Sequence, residues 1–243
     1  MALPIACGSV LAVAKPFIDW TWIGQNRSQI GTDLLQHVEL TLIAVGVGLV
    51  ISVPLAVLAW RYGLLRGPVT VLASVLYIVP SLALFAILGP VTGYFSTLTA
   101  EIALVGYTLL ILVWNTLSGL EAVPPDAREA ARAMGYSPSA SLARVELPLA
   151  LPYVFAGLRV ATVTIIGLVT VTSLIGLGGL GQLFVEGLQG SASGPFYTPI
   201  LVGLVLSVAL AAVADLLLVL LERLVVPWSR AGSGRRSSSA RRG

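Results

Sequence analysis

Of the 243 residues, 57% are hydrophobic and only 10% are charged, where a water-soluble domain carries about a quarter charged. So little polar surface excludes a globule solvated by water and makes lipid the solvent for much of the chain. The formal charge of +3 suggests a nucleic-acid binder at first sight, but the basic residues sort by side of a membrane, and no nucleic-acid partner is expected.

The chain opens on an apolar run, 3–14, that contains the single cysteine, Cys7. No Lys or Arg precedes the run and no clear small-residue cleavage site follows it, so residues 1–37 read as an outer-face or interfacial segment rather than a cleaved signal. One cysteine excludes an internal disulfide, and one histidine, His37, makes a metal centre improbable. The only lysine, Lys15, lacks the Gly-rich setting of a P-loop. The chain is therefore expected to bind no ATP, metal or other cofactor itself.

Five stretches reach the roughly 20 apolar residues that a bilayer-crossing helix needs: 38–60, 69–88, 102–120, 149–174 and 199–221. Pro54, Pro80 and Pro152 would kink them, which a membrane bundle tolerates. His37 and Glu39 stand at the start of the first span, where solvation at the interface is expected. On the second span Tyr77, Pro80, Ser81 and Phe85 are either core side chains beside a kink or a gate. The fourth span holds Thr162, Thr164, Thr170 and Thr172, whose hydroxyls either bond back to their own helix or line a pathway; Thr162 and Thr170 are the candidates for the latter. Arg159 on the fourth span and Asp215 on the fifth both lie roughly 14 Å from the same side. An intramembrane charge is expensive, so the two are expected to form an ion pair. The stretch Gly176-Leu177-Gly178-Gly179-Leu180-Gly181 follows no strand and is no dinucleotide fingerprint; it reads as a tight turn or re-entrant bend.

With five spans, Arg61, Arg66, Arg128, Arg132, Arg144, Arg223, Arg230, Arg235, Arg236, Arg241 and Arg242 share one side and Lys15 and Arg27 the other. That imbalance places the N-terminus outside and the C-terminus in the cytoplasm. The organisation expected is an outer segment 1–37, a membrane domain 38–224 and a basic tail 225–243, the last rich in Ser, Gly and Arg and expected to be disordered.

Between the third and fourth spans lies VPPDAREAARAMGYSPSASLARVELPLALP, residues 123–152. Pro124, Pro125 and Asp126 form a helix start. Ala127 to Met134 are strong helix formers, and Gly135 supplies a left-handed stop. Ser137 and Pro138 open a second short helix that is expected to end at Leu147-Pro148. The first helix is too short to be stable alone in water and needs something to dock on.

Glu129-Ala130-Ala131, three residues, Gly135, nine residues, Val145, then Leu147-Pro148 resembles the EAA loop of importer permeases, with Val145 where the family has Ile. The stretches Gln36 to Leu42, Ile78 to Phe85, Asn115-Thr116, Val145 to Pro152 and Ile175 to Gly181 extend the likeness over nearly the whole chain. It is similar above all to permeases for glycine betaine, choline, carnitine or proline betaine; methionine and phosphonate permeases share the loop. The resemblance implies an all-α membrane protein with the type I ABC importer fold: a five-helix core and a cytoplasmic coupling helix in loop 123–148. Glu129, Ala130, Ala131 and Gly135, with Arg128 and Arg132, would be the positions that couple to an ATPase. Implied partners are two ATP-binding subunits that hold ATP and Mg, a second permease, identical or paralogous, and an external binding protein; by their position after the fourth span, on the outer side, Gln182 and Glu186 are expected to face it. The chain would translocate rather than catalyse. A membrane-embedded hydrolase would need a nucleophile and base within the bilayer, and a stand-alone secondary transporter would leave the loop unexplained.

Overall fold

In the computed structural model, residues 17–190 and 194–230 are described; the apolar run 3–14, Lys15 and the tail beyond residue 230 lie outside them. After a short helix α1 (Trp20–Gln25) come α2 (Arg27–Arg61), α3 (Gly63–Ile78), α4 (Ser81–Thr92), α5 (Thr97–Glu121), α6 (Pro125–Ala133) and α7 (Pro138–Ser141). Helices α8 (Leu147–Thr172), α9 (Gly181–Gln189) and α10 (Tyr197–Val225) follow.

Among the described residues, four helical stretches are long and apolar enough to cross a membrane: α2, α5, the continuous run 138–175 that contains α8, and α10. The second expected span is broken. Helices α3 and α4 meet at 101°, because Val79 (ψ 125°) and Pro80 (ψ 136°) are extended. A residue before proline avoids the helical region, and the proline ring removes a donor. Pro54 and Pro152, by contrast, stay inside their helices.

Packing fixes the course of the chain. Leu40 and Ala44 of α2 cluster with Ala100 and Leu104 of α5, while Ala56 and Ala59 cluster with Val113 and Leu117. Helices α2 and α5 therefore run parallel, and α3 with α4 must return the chain between them as one bent crossing. Helix α8 is antiparallel to both: its Ala150 meets Gly119 of α5, and Ile166 meets His37 of α2. Helix α10 runs back along α8. With the bent α3–α4 pair taken as one span, the described helices thus make five passes, with α5 at their centre.

Close approach around α5 depends on small residues, as in other membrane bundles. A Cβ on Gly48 would stand 2.5 Å from Thr108 Cγ2, and Thr108 is stiff because it is β-branched and bonded to Leu104 O. Gly46, two residues away, faces open space. Gly48→Ala is expected to lower the thermal unfolding temperature in detergent by overpacking of about 1–3 kcal/mol, and Gly46→Ala to leave it unchanged. Equal unfolding temperatures for both variants would contradict this packing.

The loop differs from expectation at its second helix. It does not end at Leu147-Pro148. Helix α7 passes through a π-helical turn, Leu142–Glu146, directly into α8. Pro148 has no N–H to return to Arg144 O, and the wider turn, closed by Leu147 N–H to Leu142 O, accommodates that gap.

Candidate functional site

At the end of the bundle that gathers Arg61, Arg66, Arg128, Arg132, Arg144 and Arg223, helix α6 packs against α7 and the π turn that leads into α8. Pro125 occupies its first turn and Asp126 follows. It stops in a Schellman arrangement: Tyr136 N–H donates to Ala131 O at 3.1 Å and Gly135 N–H to Arg132 O at 2.9 Å. Gly135 sits at φ +81°, a conformation that side chains resist.

Helix α6 has two faces, and they divide the residues singled out from the sequence. Ala131 is fully buried, and Arg128 turns inward. The Arg128 guanidinium donates to Leu120 O, the C-terminal turn of α5, at 2.5 Å. Its Nε lies 3.3 Å from Glu146 Oε2, and the group stands 5.3 Å above the Trp60 ring, a cation–π contact. Glu146 is buried and accepts from Ser141 Oγ at 2.9 Å. Arg128 and Ala131 thus fasten the loop helix to α2, α5 and the π turn. Glu129, Ala130, Arg132, Met134 and Gly135 are exposed, and Met134 at 69% is an apolar side chain offered to whatever lies beyond. Between helix and bundle a cleft of about 450 Å³ is lined by Trp60, Arg61, Arg132, Tyr136, Ser141 and Glu146. Arg66 and Glu121 add an exposed pair at 2.6 Å.

Deeper in the bundle, Arg159 Nε donates to Asp215 Oδ1 at 2.7 Å and Nη2 to Oδ2 at 2.9 Å, a bidentate fork. Both side chains remain about one-third exposed, at 37% and 36%. They border a hollow of about 540 Å³ with Ala156, Val160, Val163 and Thr164. The four threonines of α8 all bond back to their own helix, to Leu158, Val160, Gly167 and Val169 carbonyls. Thr162 is buried; Thr170 is partly exposed.

Around the α3–α4 break, the Tyr107 hydroxyl donates to Val79 O, which satisfies a carbonyl that the broken helix frees. Tyr77 packs edge-on against Tyr107 at 5.8 Å and is 40% exposed. Pro80 is exposed and Ser81 half-buried. Phe85 is 2% exposed and belongs to the central core, so within this chain it faces no pore.

His37 departs most from expectation. It is fully buried rather than solvated at an interface. Its Nε2 lies 3.0 Å from Ile166 O, and its Nδ1 accepts from Leu180 N–H at 3.3 Å, a pattern that requires the neutral ring with the proton on Nε2. Gln36 Oε1 accepts from Gly179 N–H at 3.2 Å. The two side chains clamp the Gly-rich turn, where a Cβ on Gly178 would stand 2.1 Å from Gln36 Oε1. At that end Gln29 also donates to Glu186 at 3.2 Å. His37→Leu is expected to orphan the Leu180 N–H, at about 1–3 kcal/mol, and to lower the unfolding temperature in detergent more than His37→Gln; a silent His37→Leu would contradict the clamp.

Among the described residues, long apolar helices bundle together and carry at one end a half-exposed helix anchored on its own ion pair, the architecture of a membrane-embedded subunit. The chain belongs to the binding-protein-dependent transport system inner membrane component family, whose model matches residues 44–226. It is 36% identical to the osmoprotectant import permease protein OsmW of Salmonella typhimurium, over 83% of this chain and 94% of that one. It is 33% identical to the glycine betaine/carnitine/choline transport system permease protein OpuCD of Bacillus subtilis, over 85% and 89%. It is 34% identical to the choline transport system permease protein OpuBB of the same organism, over 83% and 91%. Among solved structures it is similar to the MetNI methionine ABC transporter in inward-facing form, with a TM-score of 0.73 and 23% identity over 83% of this chain and 98% of that one. An amino acid ABC transporter with histidines gives a TM-score of 0.67 at 18% identity, over 85% and 98%. The fold is that of type I ABC importer transmembrane domains. The chain is a permease subunit of an ATP-driven importer of the inner membrane, a translocation subunit that works with ATP-binding and substrate-binding partners.

Proposed function

We propose that this chain is the permease of an importer for osmoprotectants of the quaternary-amine class, such as glycine betaine, choline or carnitine. The cargo assignment is supported by relatives named for such solutes. The observation that carries the mechanical part is the exposed face of α6, Glu129, Ala130, Arg132 and Met134, held at the Arg-rich end of the bundle. Positive charge marks the cytoplasmic side, which supports a cytoplasmic α6 and an N-terminus outside. The permease domain is 38–224, with coupling loop 123–148 and a basic cytoplasmic tail from 225.

Two ATP-binding subunits hold ATP and Mg, and each seats one α6; a second permease, identical or paralogous, faces the first across the pathway. Small Ala130 lets the ATPase surface approach, Glu129 offers a charged acceptor, and Gly135 sets the turn. Closure of the ATPases moves α6, and Arg128 with Glu146 carries that motion to α5 and α8. ATP shifts the bundle between inward-open and outward-open states only through unequal affinity for the two. Tyr77, Pro80 and Ser81 at the break of the second pass are the gate candidates. Arg159 and Asp215 brace α8 against α10 beside the pathway. No covalent chemistry falls to this chain.

Reconstitution with the neighbouring ATP-binding and binding-protein subunits in proteoliposomes tests this reading. ATP-dependent uptake of labelled glycine betaine, choline or carnitine is expected, with none of methionine. Uptake of methionine alone would overturn the cargo, and uptake without ATP would overturn the mechanism.

A further inference from the structure

Glu101 stands one turn inside α5, past the cap Ser96. It is 9% exposed, and neither carboxylate oxygen has a hydrogen-bond partner within the described residues. A carboxyl buried without a partner is costly, more so within a membrane, and nothing in the coupling mechanism uses it. It lines a groove of about 570 Å³ that runs along α5 between α2 and the α3–α4 pair. Apart from Glu101 the lining is apolar, including Ile43, Val47, Leu88, Ile102 and Leu109. Ile43, Val47 and Ile102 are each at least 40% exposed, so the groove opens on the outside of the bundle.

From Glu101 to Leu109 the groove follows α5 for about 12 Å at helical rise. The carboxyl therefore sits at its interfacial end and the aliphatic side chains reach inward. A small polar cargo would bury no comparable hydrocarbon. We propose that the groove holds a phospholipid whose headgroup carries an ammonium group, with the ammonium at Glu101 and an acyl chain along Val47 and Leu109. The charge complementarity selects the lipid: a carboxylate attracts an ammonium and repels a headgroup of net negative charge.

The complex with its ATP-binding subunits, purified in mild detergent from nanodiscs of equal phosphatidylethanolamine and phosphatidylglycerol, tests the proposal by native mass spectrometry of retained lipid. The wild-type chain is expected to retain phosphatidylethanolamine preferentially. Glu101→Gln should reduce that preference about tenfold, the ratio for loss of one charge-assisted contact. Val47→Trp, which fills the groove, should reduce retention of both lipids. No retained lipid in the wild type, preference for phosphatidylglycerol, an unchanged preference in Glu101→Gln, or full retention in Val47→Trp would each overturn it.

Discussion

Replacing Arg128 with alanine is expected to abolish coupled transport although Arg128 touches the bundle rather than a partner. The side chain is the shared anchor of three elements: Leu120 O at the tip of α5, Trp60 on α2 and Glu146 in the π turn. Without it Glu146, 6% exposed, keeps only the Ser141 hydroxyl. Breaking a buried pair by removing one partner costs about 3–5 kcal/mol; the 25% exposure of Arg128 places this pair at the lower end. Uptake should fall more than the ATPase rate, because α6 can still dock while its motion no longer reaches α5 and α8. The double variant Arg128→Leu with Glu146→Leu separates the two effects. It removes the stranded charge and should recover thermal stability in detergent while uptake stays low. If Arg128→Ala transports at the wild-type rate, or if the double variant restores uptake together with stability, Arg128 is no part of the linkage.

Asp215→Ala and Arg159→Ala are each expected to lower uptake roughly tenfold or more, the consequence of leaving one member of a fork unpaired in a low-dielectric setting. Both side chains are partly exposed to the hollow beside Val160 and Thr164, so the loss should appear in transport before it appears in folding. The exchange Arg159→Asp with Asp215→Arg is expected to restore part of the uptake, because it keeps one positive and one negative group across α8 and α10. Lys at position 159 should restore less than Arg, since an ammonium cannot match the fork. Single variants with normal uptake in proteoliposomes would remove the pair from the transport cycle.

Much of this architecture was legible in the sequence because lipid imposes simple rules. Apolar length marked the passes, arginine placement marked the two ends, and Gly135 marked the stop of α6. The Arg159–Asp215 contact followed from equal depth on neighbouring antiparallel helices. What escaped the sequence was direction. Arg128 and Ala131 sit in the same motif as Glu129 and Ala130, but helical phase turns the first two inward, and only the packing of α5, α8 and Trp60 decides which way the helix is rolled. Glu146 was hidden in the same manner: a charged residue in a loop reads as solvated until Ser141 and Arg128 are seen to close over it. His37 looked interfacial because it precedes the first apolar run, whereas α2 already begins at Arg27 and the Gly-rich turn that covers His37 lies 143 residues later at Leu180, a long-range pairing that no local pattern announces. The break at Pro80 was anticipated only as a kink. The full break leaves the Val79 carbonyl open, and the Tyr107 hydroxyl, remote in sequence, donates to it.

A single cysteine makes the central claim directly measurable. With Cys7 replaced by serine the chain has no thiol, and a new one can be placed at Ala130 on the exposed face of α6 or at Glu186 on α9. In intact cells, the thiol of Ala130→Cys is expected to resist a membrane-impermeant reagent and to cross-link to the ATP-binding subunit. The thiol of Glu186→Cys is expected to react from outside and to give no such adduct. Labelling of Ala130→Cys from outside, or a complex in which it meets no ATP-binding subunit, would contradict the account.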